Sequence, residues 1–156
     1  MGLATLGLAT LAAGIGKGLF AGAFGTVAMT VSSTAEMKLR GREASSAPAD
    51  AAGRMLGVQP RNETGKKRFA TVVHYGYGTS LGTIRGVIGV AGLAGPAATA
   101  AHFAAVWGNE LVMLPKLGVA PPATEWGAKE VAVDAFHHLV YATATGLAYD
   151  YLDRRD

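Results

Sequence analysis

Residues 14–34 read GIGKGLFAGAFGTVAMTVSST, and the reading of this stretch decides the fold. It carries one charge, Lys17, and glycines recur at positions 14, 18 and 22. A bilayer core is crossed by roughly 20 mainly apolar residues in helical form, and this run is long enough. In a water-exposed helix each glycine would cost roughly 1 kcal/mol relative to alanine. In lipid the same four-residue spacing makes a face along which two helix backbones approach closely. The stretch is therefore expected to span a membrane, with Lys17 snorkelling to the headgroups. The apolar lead-in, residues 2–13, either extends this helix or lies along the interface. A secretory leader begins with basic residues, whereas the first basic residue here is Lys17. The segment is expected to be retained.

Three more stretches meet the length criterion. They run over about 69–93, 96–114 and 127–149. Pro96 suits the start of the third span, where a missing N–H is harmless. Pro115 and the pair Pro121 and Pro122 end that span and open a short loop. The expected fold is all-α, an integral membrane bundle of four transmembrane helices in a single domain over residues 1–156. Helices two to four would form an antiparallel meander, with the first packed on it by its glycine face. A second glycine series, Gly78, Gly82 and Gly86, gives helix two a matching face. These faces pack either within the bundle or between copies in a homo-oligomer.

Composition agrees with two solvents. Only 16% of residues are charged, against about 25% in soluble domains. Eight of the fourteen Lys and Arg are Lys38, Arg40, Arg42, Arg54, Arg61, Lys66, Lys67 and Arg68. They fall in or beside a polar loop, 35–68, between helices one and two. Basic residues beside apolar spans suit anionic lipid headgroups over the region 38–68, and nucleic acid is not an expected partner. The positive-inside rule puts this loop and the one at 115–126 in the cytoplasm, with both termini outside. Arg154 and Arg155 weigh the other way. Within the loop, Ser46, Pro48 and Gly57 mark a short helix. Its Ala51, Met55 and Leu56 would rest on the membrane surface. The chain has no cysteine, which excludes disulfides, thiolate metal sites and cysteine nucleophiles. There is no Walker loop, dinucleotide fingerprint or nucleophile elbow. The chain is not expected to be an enzyme, and no cofactor is assigned.

Ionisable residues inside spans are the best pointers to function. They are His74, Arg85, His102, Glu110, Glu130, Asp134, His137 and His138. Glu130, Asp134 and His138 recur every four residues and share one face of helix four, while His137 points about 100° away. With the turn between helices three and four centred near Gly118, His102 falls level with Asp134 and His138. Glu110 then falls level with Glu130, and Arg85 becomes a candidate partner for Glu110. Such a cluster serves as a proton relay or solute path, a metal site, or a two-histidine haem site. It also fits a satisfied polar network that holds helices in register. The leading expectation is proton-linked transport or pH response. The alternatives are a haem or metal carrier and a structural subunit docking through its glycine faces.

One stretch resembles a known family. Gly-Val-Ala-Pro-Pro (118–122), Trp126, Glu130 and Asp134, and Phe-His-His-Leu-Val-Tyr (136–141) look like the YagU-like small inner-membrane proteins of bacteria. His74 and His102 are similarly placed. The resemblance implies a multi-pass protein of the bacterial inner membrane with a link to acid or envelope stress. It supplies no reaction.

Overall fold

The computed structural model describes residues 3–154. The chain forms five helices: α1 (Leu3–Arg40), α2 (Ala47–Leu56), α3 (Glu63–Val90), α4 (Gly95–Lys116) and α5 (Ala128–Asp153). Among the described residues there is no strand.

Helix ends reach past the apolar runs that signal them. The lead-in is helical from Leu3 onward, so it extends α1. At the other end α1 continues six residues beyond Thr34, to Arg40. An ionic clasp holds these extra turns. Arg40 bridges Glu36, at 2.9 Å, and Glu130, while Arg42 donates to Glu36 through Nε at 2.9 Å. Helix α3 starts at Glu63, well before Phe69. Asn62 caps it by accepting from the Gly65 N–H at 2.7 Å. Glu63 and Lys66 then pair within its first turn at 2.8 Å. The interhelical loop is therefore shorter than 35–68, and α2 lies inside it. Pro48 opens α2, and Gly57 closes it at φ 66°, where a side chain would be strained. Ser46 stands at the N-cap position, but its hydroxyl donates to Asp50 instead of accepting from the backbone. Ala51 is buried and turned inward, while Met55 and Leu56 are exposed.

Helices α1, α3, α4 and α5 form an up-down-up-down four-helix bundle. Helix α1 packs on α3 and α5, and α4 packs on the same two from the opposite corner. The first helix packs through its glycine face, as expected, and is the most extensively packed member of the ring. Both polar loops and α2 gather at one end. The 91–94 turn and the C-terminal turn of α5 lie at the other.

The two glycine series meet. A Cβ at Gly82 would strike the Gly18 carbonyl and lie 2.6 Å from the Gly22 Cα. One at Gly86 would strike the Gly14 carbonyl, and one at Gly78 would strike Thr26. The α1 and α3 backbones touch along this seam, which is filled within the chain. A further glycine, Gly25, turns to the other side and makes room for the Tyr141 ring of α5.

The bundle buries several polar side chains among its core residues and exposes many apolar ones. Arg85, His102, Thr26 and Thr145 are 0–1% exposed. Along the outer side of α1, Phe20, Phe24, Val27 and Val31 are 52–72% exposed, and Phe136 and Leu147 of α5 are similar. By length and composition one helix, over Gly7–Arg40, is apolar enough to cross a membrane.

Candidate functional site

A cavity of about 730 Å³ opens among the helices at the loop end. Its rim includes Arg42, Ser45, Pro121 and Trp126, and it runs inward past Ser33 and His74 to Leu81 and Tyr141. Tyr141 closes the floor, donating to the Gly78 carbonyl at 2.7 Å and so tying α5 to α3 across the bundle.

Glu110 of α4 and Asp134 and His138 of α5 sit together in the wall. The His138 Nδ1 is 2.9 Å from the Asp134 backbone carbonyl. A carbonyl only accepts, so Nδ1 carries the hydrogen. Nε2 then faces a Glu110 carboxylate oxygen at 2.5 Å. A separation this short holds a proton between two atoms that would otherwise repel. The Asp134 carboxylate accepts from the Trp107 indole N–H at 2.8 Å and lies 3.7 Å from the His138 Nδ1. Spacing on one helix face placed Asp134 beside His138. Trp107 had no sequence signal beyond its place one turn before Glu110.

The remaining residues fall differently from their sequence placement. Glu110 does not sit with Glu130 at the mouth. It reaches His138, while Glu130 is held at the rim by Arg40. His102 does not join Asp134 and His138. It is enclosed, with Nε2 3.2 Å from the Leu81 carbonyl and its ring 5.5 Å from that of Tyr141. One cause explains both shifts. The turn is centred near residue 122, midway between Lys116 and Ala128, because residues 117–127 include a short 3-10 turn at Ala123–Glu125. Moving the centre from Gly118 slides α5 along α4 by about two helical turns.

Arg85 pairs with Asp150 instead of Glu110. The guanidinium lies over the Tyr149 ring, 4.3 Å from its centroid. The Arg85 Nε and Nη1 and the His102 Nδ1 are buried without hydrogen-bond partners among the described residues. Beyond Tyr141 the interior is thus closed by His102, Arg85 and Tyr149. A buried arginine near the terminal end calls for a carboxylate at that depth, and Asp150 supplies it.

His74 stands on the opposite wall, its Nε2 2.9 Å from the Thr30 hydroxyl. That hydroxyl gives its hydrogen to the Thr26 carbonyl, so His74 is the donor between them. His137 points away from His138, with Nδ1 2.9 Å from Ser32 on α1. At the rim, Arg42 and then Arg40 hydrogen-bond Glu36 and hold its carboxyl down at about 2. Glu130 and Glu36 raise Arg40 above its ordinary value.

No known protein family, curated protein or solved structure matches this chain.

Proposed function

We propose that this chain is a four-span protein of the bacterial inner membrane that admits small cations, protons included, to a chamber inside its bundle. One observation carries the reading: a cavity whose wall includes His74, Glu110, Asp134 and His138, opening among helices that expose apolar side chains outward. Water-soluble proteins seldom leave large contiguous apolar patches exposed. Fully buried Arg85 and His102 in a bundle that exposes Phe20, Phe24, Val31 and Phe136 is the arrangement expected of lipid as solvent. At 1.5 Å per residue, α4, with 22 residues, spans about 33 Å, enough for a hydrocarbon core of about 30 Å. The longer helices extend into water at the loop end, where the basic residues gather. That end is the cytoplasmic one by the positive-inside rule, and its arginines and lysines suit anionic headgroups. The cavity opens there, and the Arg85–Asp150 pair and the rings around it close the far side. The likeness of residues 118–141 to YagU-like proteins points to the same membrane and adds no reaction.

Proteoliposomes test the reading. The wild-type chain is expected to pass protons faster than empty liposomes under an imposed potential. A bulky thiol reagent on Ser33→Cys, in the cavity wall, should block that flux. The double substitution Asp134→Asn with His138→Ala should abolish it. Flux equal to that of empty liposomes, or flux indifferent to the block, would overturn the proposal.

A further inference from the structure

The cavity wall holds one cluster with the chemistry of a metal site. Glu110, Asp134 and His138 each offer one donor atom, and all three atoms lie within 4.8 Å of one another. Three observations separate the trio from a polar network that merely links helices.

The first is charge. Two carboxylates and an imidazole leave a net negative charge even when the imidazole is protonated. Among the described residues, Glu110 and Asp134 form ion pairs with His138 alone, and neither meets a Lys or Arg. An uncompensated charge is unfavourable in a lipid-enclosed interior, and a divalent cation neutralises both carboxylates at once. The second is orientation. The His138 Nδ1–H donates to a backbone carbonyl and leaves Nε2 turned toward Glu110. Metal-bound histidines are commonly fixed in this way, through the ring nitrogen that does not bind. The Trp107 indole fixes the Asp134 carboxylate in the same manner. The third is an orphan. His137, 4% exposed and in the wall of the same cavity, has an Nε2 with no hydrogen-bond partner among the described residues, the Glu36 carboxylate standing 3.7 Å away. A buried polar atom in that position calls for water or solute in the chamber.

We infer that Glu110, Asp134 and His138 bind a divalent first-row cation from the Mn²⁺, Fe²⁺ and Zn²⁺ group. This rests on the reading of the cavity given above and names its ligand. Imidazole nitrogen suits iron and zinc, carboxylate oxygen suits manganese, and the mixed set accommodates all three. Three protein ligands leave coordination positions open toward the chamber, as in sites that exchange water or substrate. Ligand bonds of about 2.0–2.2 Å place neighbouring donors about 3 Å apart. The His138–Glu110 separation of 2.5 Å is that of the proton-bridged form. A cation takes the place of that proton, which leaves to solvent; the Glu110 carboxylate swings back by about 1 Å to admit it, and the Asp134 carboxylate, whose donor atom lies within 4.8 Å of the other two, closes in on the ion.

The test uses the full chain, purified in detergent without a polyhistidine tag and dialysed against Zn²⁺ and, separately, Mn²⁺. One equivalent per chain is expected. Affinity should fall by more than about tenfold in Glu110→Gln and in His138→Ala, and by about tenfold in Trp107→Phe, which removes only the outer hydrogen bond. Glu63→Gln, which removes an exposed carboxylate outside the cavity, should leave it unchanged. Helical circular dichroism and elution volume certify that each variant is folded, and Glu110→Gln alters shape least. A folded wild-type chain that binds neither ion, or binding indifferent to both ligand substitutions, overturns the metal site. If that chain still passes protons through a path blocked at Ser33→Cys, the cavity stands and the metal site alone falls. If flux is absent as well, both fall.

Discussion

Consider Gly82→Ala, one methyl group added where α3 meets α1. The new Cβ would strike the Gly18 carbonyl and lie 2.6 Å from the Gly22 Cα and 2.8 Å from the Gly22 nitrogen. These are backbone atoms and have no rotamer to change. Carbon atoms in good contact sit about 3.5–4.0 Å apart, so the helices must part locally by about 1 Å. That displacement loosens the neighbouring contacts of Gly14 with Gly86 and of Thr26 with Gly78. Overpacking of this kind costs about 1–3 kcal/mol. In lipid, close van der Waals packing supplies much of the association energy, which favours the upper part of that range. Alanine returns up to about 1 kcal/mol through helix propensity. The net expectation is a loss of about 1–2 kcal/mol for Gly82→Ala and more for Gly82→Val. Gly76, two turns away on the same helix, is the internal control. A Cβ there meets nothing within 4 Å, so Gly76→Ala should be neutral or stabilising. The assay is unfolding of the detergent-solubilised protein by graded SDS, followed by circular dichroism. Equal midpoints for Gly82→Ala and Gly76→Ala would refute the reasoning.

Three further outcomes follow from the ion pairs and the floor of the cavity. Asp150→Asn strands the buried Arg85 charge and should destabilise the bundle by about 3 kcal/mol. The added substitution Arg85→Met should recover most of that loss in the same unfolding assay. Glu36 has a folded pKa of about 2, below its ordinary 4.5, because Arg42 and Arg40 hydrogen-bond it. Its stabilising effect is therefore complete above pH 4.5 and is lost as pH falls toward 2. The thermal midpoint should drop over that window in the wild type and drop less in Glu36→Gln. Tyr141→Phe removes the hydroxyl that binds the Gly78 carbonyl and should cost about 1 kcal/mol, measured in the same way.

The all-helical fold was legible because glycine spacing, proline placement and apolar length all act locally. The seam of Gly14, Gly18 and Gly22 against Gly78, Gly82 and Gly86 could be read in outline, since two matching faces on neighbouring helices have an obvious use. Helix ends were less legible. Apolar length marks where a helix could enter lipid, whereas the last turns of α1 and the first of α3 are held by ion pairs and a cap. The cluster was legible only within one helix. Asp134 and His138 share a face by spacing alone, but the partner across the interface depends on where the turn folds. A 3-10 turn after Pro122 moves that point by four residues and exchanges His102 for Glu110 as the partner across the interface. Asp150 went unread as the partner of Arg85 because it lies among charged residues that close the chain. Depth, not sequence distance, links the two.

The central claim is that lipid faces the apolar exterior while water reaches the cavity between the helices. The chain has no cysteine, so single cysteines can be placed at Phe24, on the outer side of α1, and at Ser33, in the cavity wall. Both are then challenged with a water-soluble thiol reagent in native membranes opened to expose the cytoplasmic side. The account predicts that Ser33→Cys is modified and Phe24→Cys is protected until detergent is added. Rapid modification at Phe24→Cys with protection at Ser33→Cys would contradict it, for that is the pattern of a bundle standing in water.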